Sequence, residues 1–174
     1  MGAWQIAKAL GIAAKEQLAR FELLQPMYNL SKRQAEVEIL PMALSEGLGV
    51  IPYGPLGGGL LSGKYSLSEK PTSGRLMSNA MYNKRYREDS YYEIAEQFSA
   101  FALKQGIHPA TLAVAWVASH PAITAPILGA RNVEQLEPSL AAAYFNMTPD
   151  LRAELAKLSP TPPPATDRSE ERHS

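Results

Sequence analysis

Apolar residues recur along much of the chain at helical spacing, and short apolar runs separate these stretches. The first stretch, AWQIAKALGIAAKEQLARF from Ala3, predicts a helix that begins almost at the first residue. Its apolar side chains are expected near one face: Trp4, Ile6, Ala7, Leu10 and Ala14. Because this helix starts without a capping residue, we expect the chain to be cut from a longer one.

Three short apolar runs predict strands. The first extends from Phe21 to Gln25 and is closed by Pro26. The second is LGVIPYG at 48–54, and the third is AITAPILGA at 122–130.

Helices are predicted between and after these runs. Residues 31–47 predict a helix with Ser31 as N-cap and Gly47 as its end, and Pro41 is expected to kink or split it. Residues 66–89 have no clear period and predict a lid-like loop that is partly helical around 82–87. The later helices are expected at 89–105, HPATLAVAWVASHP, NVEQLEPSLAAAYF and TPDLRAELAKLS, the last capped by Thr148.

This alternation of strands and helices is typical of parallel β/α units. About three strands are visible, whereas a closed eight-stranded β/α barrel needs roughly 200 residues or more. The chain, with 174 residues, is too short for one. Residues 1–158 are expected to form the folded part, and the proline-rich, charged stretch 159–174 is expected to be extended and poorly ordered.

Composition and charge exclude several classes of protein. The chain carries 17 basic and 17 acidic residues, so neither nucleic acid nor an anionic membrane surface is an expected partner. No apolar run approaches the roughly 20 residues that span a bilayer. Without cysteine there is no disulfide framework, thiolate nucleophile or zinc–thiolate site, and a reduced cytoplasm fits.

The stretch GGGLLSGKY, from Gly57 to Tyr65, raises the question of a phosphate site. It has the G-x-x-x-x-G-K spacing of the triphosphate-binding loop, but Tyr65 stands where that loop needs the short hydroxyl side chain of serine or threonine to hold magnesium. The dinucleotide fingerprint also fails, because Ser62 occupies its third glycine position. Either the backbone amides of the glycine-rich loop bind an anion, or the loop is a turn that binds nothing.

Three motifs in order change this picture: QPMYNL, GVIPYGPLGGGLLSGKY and PILGARNVEQL. From residue 3 to about 158 the chain resembles the C-terminal half of the aldo-keto reductases. The resemblance implies an α/β fold that is part of a (β/α)8 barrel, roughly the last three β/α units plus the C-terminal helix. It also implies an NADP(H) cofactor across the C-terminal face and a small-molecule carbonyl substrate.

The resemblance assigns a cofactor contact to each of several residues. Gln25 would bond the nicotinamide carboxamide and Tyr53 would stack on the nicotinamide ring. The pyrophosphate would be wrapped by Gly54, Leu56, Gly58 and Gly59. The adenosine end would meet Gly129, Ala130, Arg131, Asn132 and Gln135, with the Arg131 guanidinium suited to the 2′-phosphate. Pro138 and Ser139 depart from the acid and asparagine that the family uses to hold the adenine.

The family's catalytic residues belong to the first half of its barrel, so no catalytic residue is expected in this chain. No metal site is expected either, because the sequence has no metal-ligand spacing. His108, His120 and His173 are expected to be structural or exposed, and Tyr82 and Tyr86 to lie on the substrate side or surface. The expected function is NADP(H)-dependent reduction of aldehydes or ketones, lost in the isolated chain. The alternative is a non-catalytic nucleotide-binding or interaction module. Self-association, or pairing with a missing N-terminal half, is expected in either case.

Overall fold

Two short parallel strands form the sheet in the residues that the computed structural model describes, 1–69 and 74–166. Strand β1 is Leu23–Leu24 and strand β2 is Gly49–Val50, with Leu23 opposite Gly49. Both lie within predicted strand segments. The helices are α1 Ala3–Lys15, α2 Ile39–Ser45, α3 Arg75–Ser78, α4 Ala80–Arg85, α5 Asp89–Lys104, α6 Pro109–Ala118, α7 Val133–Leu140 and α8 Pro149–Ala156.

The third predicted strand, 122–130, does not form a ladder, and that prediction is wrong. The segment lies beside β2 through two bonds of 2.8 Å, in which the Thr124 amide donates to the Val50 carbonyl and the Ile127 amide to the Pro52 carbonyl. Pro126 lies between the two donors and has no amide hydrogen, so it interrupts the pairing. A single parallel bridge between Tyr53 and Ile127 remains.

Helix α1 begins where the spacing predicts it but ends at Lys15, before the predicted stretch ends at Phe21, and its buried face differs from the expected one. Ile6 and Leu10 are buried as predicted, whereas Trp4 is 67% exposed. The expected Ala7 and Ala14 are also exposed. Each of these three side chains directly follows or precedes a buried one, and one residue turns the helix by about 100°. The residues buried in α1 are Ala3, Ile6, Leu10 and Ala13.

The predicted helix over 31–47 is split, as Pro41 suggested. A short 3-10 turn, Gln34–Glu36, precedes α2, and Pro41 lies in the first turn of α2, where no amide donor is needed. Ser31 is not a helix cap, so that prediction is wrong. Its amide and hydroxyl instead donate to Asn29 Oδ1 at 3.1 and 2.8 Å.

The remaining helices follow the sequence pattern closely. Helix α6 begins at Pro109, and Pro109 through Val117 are all buried, as its unbroken apolar run predicts. Thr148 caps α8 by accepting from the Leu151 amide at 3.2 Å. A 3-10 turn, Ala141–Tyr144, extends α7, and the 66–89 stretch contains α3 and α4.

A polar network crosses the core where α8 packs on the loop after β1. The Tyr28 hydroxyl donates to Glu36 Oε1 at 2.6 Å and accepts from Arg152 Nη2 at 2.9 Å. Arg33 binds the same carboxylate, with Nη2 to Oε2 at 2.9 Å, and also donates to the Ala156 carbonyl at 3.0 Å. The Arg152 guanidinium lies 4.4 Å from the centre of the fully buried Trp116 ring. The network therefore ties α8 to the core by charge as well as by apolar contact.

Burial and these bonds shift the pKa values of three groups. Burial raises the pKa of Tyr28, and its hydrogen bond to Glu36 raises it further. Burial would also raise the pKa of Glu36, but hydrogen bonds from Arg33 and Tyr28 and the charges of both arginines outweigh it and lower that pKa. Burial and the Arg152 charge lower the pKa of His120, whose ring meets Tyr28 edge-on at 5.8 Å.

Replacing Glu36 with Gln should destabilise the protein at neutral pH by about 1–3 kcal/mol, because two partly buried arginines lose their counter-charge. A carboxylate with a lowered folded-state pKa stabilises above its unfolded pKa, and this contribution is lost as pH falls through the folded pKa. The difference between Glu36→Gln and the unaltered protein should therefore shrink below about pH 4. Urea unfolding of both proteins from pH 3 to 8 measures this difference in the free energy of unfolding.

Glu38→Gln is the matched control, because the Glu38 side chain is exposed two residues away. It should change the free energy of unfolding little at any pH. A Glu36→Gln penalty that is the same at pH 3 and pH 7 would contradict the assigned role of the carboxylate.

Candidate functional site

A cleft of about 580 Å³ opens beside the segments that follow β2 and the 122–127 stretch. The 53–65 loop and residues 127–131 form two of its walls. Residues of α3, α4, α6 and α7 complete it, with Tyr82 contributed by α4. This volume is in the range of small-molecule sites.

Most residues predicted to hold a cofactor meet in this cleft. The glycine-loop side contributes Tyr53, Gly54, Leu56, Gly58 and Gly59, and the α7 side contributes Gly129, Ala130, Arg131 and Gln135. These two groups are at least 70 residues apart in the sequence. The parallel course of the two segments, joined by the Tyr53–Ile127 bridge, brings them together.

Two predicted residues lie outside the cleft lining. Gln25 follows β1 and has an exposed side chain, so its assigned contact with a carboxamide stays a prediction. Asn132 is the N-cap of α7, and its Oδ1 accepts from the Gln135 amide at 3.0 Å. The Asn132 side chain therefore has a structural task at the start of the helix.

The backbone at the start of the glycine-rich loop is held by buried Asn29. Its side-chain amide donates to the Gly54 carbonyl at 2.9 Å and to the Tyr86 hydroxyl at 3.2 Å. The Tyr53 amide donates to the Pro26 carbonyl at 3.0 Å, which fixes the preceding residue as well. Burial raises the pKa of Tyr86 to about 12, so this hydroxyl is neutral at physiological pH.

The cleft carries more cationic than anionic side chains. Lys64, Arg75 and Arg131 line it, against one carboxylate, Glu134, among the described lining residues. Such an excess favours an anionic ligand. Sequence reasoning weighed Lys64 only as part of a triphosphate loop and missed Arg75, which lies in the stretch without a clear period.

The three histidines have different surroundings. His108 caps α6, with Nδ1 accepting from the Ala110 amide at 3.1 Å, and it also lines the cleft. His120 packs on Tyr28 and accepts from the Ala122 amide at 3.2 Å, a structural role as expected. His173 lies outside the described residues.

The start of α7 is held by two hydrogen bonds between backbone amides and side-chain oxygens. Besides the Asn132 cap, the Gln135 side-chain oxygen accepts from the Arg131 amide at 3.3 Å. This arrangement satisfies the Gln135 amide in the first helical turn and the Arg131 amide just before the N-cap. It fixes the backbone from which the Arg131 side chain extends along the cleft.

Comparison with known proteins decides the family. Residues 1–160 match the model of the Aldo/keto reductase family. The chain belongs to the aldo/keto reductase family. Among curated relatives, the uncharacterized oxidoreductase YrpG of Bacillus subtilis (strain 168) is 35% identical over 159 residues, which is 91% of this chain and 47% of that protein.

Two further relatives of this aldo/keto reductase chain carry different names. The versiconal hemiacetal acetate reductase of Aspergillus parasiticus is 26% identical over 86% of this chain and 43% of its own length. A probable voltage-gated potassium channel subunit beta of Arabidopsis thaliana is 31% identical over 80% of this chain and 44% of its own length. The chain thus spans less than half the length of these relatives.

The described part of this aldo/keto reductase chain has neither a membrane-spanning helix nor a cluster of metal-binding side chains. No helix there is both long and apolar enough to cross a membrane. Within the same residues, no group of three or more His, Asp or Glu side chains is placed to hold a metal ion.

Replacing Asn132 with Ala should destabilise the protein by about 1 kcal/mol, because α7 loses its N-cap. Asn132→Asp should retain most of the stability, since a carboxylate accepts the same bond from the Gln135 amide and favours a helix N-terminus. Thermal unfolding of the two variants measures the difference. Equal melting temperatures for Asn132→Ala and the unaltered protein would contradict a structural role for this side chain.

Proposed function

We propose that this chain is the cofactor-binding part of an NADP(H)-dependent aldo/keto reductase that reduces aldehydes or ketones to alcohols. The observation that carries the proposal is the cationic cleft, in which Tyr53, Arg131 and the glycine-rich loop converge. These residues come from two separate motifs, and only the fold brings them into one site.

The lining residues fit the chemistry of a dinucleotide phosphate. Arg131, Lys64 and Arg75 would hold its phosphate groups, and the partly buried Tyr53 ring would hold the nicotinamide. Guanidinium groups suit phosphate because their planar donors meet two oxygens at once. When bound, the reduced cofactor supplies the hydride.

Tyr53 has the backbone support that an orienting residue needs. Its amide donates to the Pro26 carbonyl at 3.0 Å and its carbonyl accepts from the Tyr28 amide at 3.5 Å. It also forms bridges with Met27 on one side and Ile127 on the other. Two segments, 26–28 and the one around Ile127, therefore hold the Tyr53 backbone, and its ring can present one fixed face to a flat ligand.

The strand order supports part of a (β/α)8 barrel as the fold. β1 pairs in parallel with β2, and the 122–127 segment lies on the other side of β2. We interpret these as the last three strand positions of the barrel, with α8 as the C-terminal helix. Leu23 on β1 is 55% exposed and Ile127 is 38% exposed, which fits strands that would continue into a closed barrel.

Carbonyl reduction forms one carbon–hydrogen bond from the hydride and one oxygen–hydrogen bond from a proton donor. We assign no residue of this chain as that donor. Tyr86 is buried against Asn29, and His120 packs on Tyr28, so neither is free to protonate a substrate oxygen. The donor and the rest of the substrate pocket would come from outside residues 1–174, paired with this chain.

A second candidate is a non-catalytic nucleotide-binding or interaction subunit. It is favoured by the relatives named as probable potassium channel subunits. The two candidates share cofactor binding and differ in turnover once the complementary part of the barrel is present.

Replacing Arg131 with Ala should weaken NADPH binding by about ten- to a hundredfold, since one charge-assisted contact with phosphate is lost. NADH lacks the 2′-phosphate, so its dissociation constant should hardly change. Tyr53→Ala is the matched contrast, because the nicotinamide is common to both cofactors and both should bind more weakly. Fluorescence titration measures the six dissociation constants, for the unaltered protein and the two variants with each cofactor. If Arg131→Ala weakened NADH binding as much as NADPH binding, the assignment of Arg131 to the 2′-phosphate at the adenosine end would be wrong.

The purified chain by itself should not oxidise NADPH in the presence of an aldehyde or ketone. Without a positioned proton donor, reduction loses general acid catalysis, which is typically worth about 10²–10⁴-fold. The absorbance of NADPH follows the reaction. Steady turnover that a substitution within this chain abolishes would show that the chain has its own catalytic group.

A further inference from the structure

We propose that Tyr82 is a positioning residue, which docks in the space left by Gly58 and holds Arg75 at the cleft as a phosphate contact. The proposal rests on the proposed function for the identity of the ligand. It concerns the α3–α4 pair, which the family motifs of the sequence do not include.

The Tyr82 ring occupies the place where a side chain at residue 58 would be. A Cβ built on Gly58 would lie 2.6 Å from Tyr82 Cδ1 and 2.9 Å from Cε1. Contacts this short do not occur for real Cβ atoms, so any other residue at 58 would displace the ring. The φ of Gly58 is +72°, which also favours glycine.

Tyr82 is held from its own side of this contact as well. Asn79 caps α4, and its Oδ1 accepts from the amides of Met81 and Tyr82 at 3.0 and 3.2 Å. The ring of Tyr82 stacks on Tyr86, with centroids 6.3 Å apart and planes at 26°. Tyr86 is in turn buried and bonded to Asn29, which also holds Gly54. The ring is therefore linked to the glycine-rich loop at two points.

Arg75 connects this contact to the ligand. Its guanidinium carbon lies 5.6 Å from the centre of the Tyr82 ring, and its side chain lines the cleft. A cation–π contact restrains an exposed arginine while leaving its N–H donors free for phosphate. Arg85 is also 5.6 Å from the same ring but does not line the cleft. The Tyr82 ring thus positions the Arg75 guanidinium, and the absence of a side chain at Gly58 leaves the space in which the Tyr82 ring lies.

The first experiment measures the Tyr82–Gly58 contact without ligand. Hydrogen exchange detected by mass spectrometry should show faster exchange of the α4 amides in Gly58→Ala and in Tyr82→Ala. Gly106→Ala is the strain control, because Gly106 has a φ of +68° but nothing within 4 Å of an added Cβ. Its α4 exchange should match that of the unaltered protein. Equal α4 exchange in Gly58→Ala and Gly106→Ala would overturn the contact.

The second experiment measures NADPH release by stopped-flow fluorescence. Tyr82→Ala and Gly58→Ala should each release NADPH about tenfold faster, while Tyr82→Phe, which keeps the ring, should release it at the original rate. The double variant Gly58→Ala with Tyr82→Ala should be no faster than Tyr82→Ala, because removing the ring also removes the clash.

Coupling to Arg75 distinguishes positioning from a merely structural role. If Tyr82 acts through Arg75, the double variant Arg75→Ala with Tyr82→Ala should release NADPH no faster than Arg75→Ala alone. If the effects of Arg75→Ala and Tyr82→Ala on the release rate were additive, while the unaltered protein bound NADPH normally, the positioning role would be wrong. The proposed function would still stand. Absence of NADPH binding by the unaltered protein would overturn the proposed function, and the positioning role with it.

Discussion

The side-chain amide of Asn29 makes all its hydrogen bonds inside the protein, and the geometry of the site depends on those bonds. Its oxygen accepts from the amide and hydroxyl of Ser31, and its nitrogen donates to Gly54 and to Tyr86. The residue is fully buried, so losing the Gly54 or the Tyr86 acceptor would leave an N–H hydrogen unpaired at a cost of about 1–3 kcal/mol. One amide thereby fixes the loop after β1, the turn after β2 and the end of α4 relative to one another.

A second polar group performs a similar task where α8 packs on the loop after β1. Glu36 holds Tyr28 and Arg33, and Arg152 brings α8 to the same place. Tyr28 is one residue before Asn29, so the two networks share a backbone segment. With only two short strands in the described residues, side chains supply much of the registration that a longer ladder would provide.

Local signals in the sequence predict much of the fold and part of the site. Pro109 and its apolar run define α6, and Thr148 defines the start of α8. The third strand is wrongly predicted because the apolar character of 122–130 favours a strand, whereas Pro126 within it has no amide hydrogen and interrupts the bonds to β2. Tyr53 and Arg131 follow from family motifs, whereas Arg75 does not. Its place at the cleft depends on a contact between Tyr82 and Gly58, residues 24 apart in the sequence, and no local pattern encodes it.

The cations of the cleft have a consequence at distances beyond contact. The whole sequence carries equal numbers of acidic and basic residues, so the acids that balance Lys64, Arg75 and Arg131 lie mostly outside the cleft. A molecule with no net charge then has a separation of charge across its surface. An approaching anion is turned toward the cleft before it touches it, and this steering fades beyond about 10 Å at 0.1 M salt. The protein thus has a local excess of positive charge at the cleft, which its net charge of zero does not reveal.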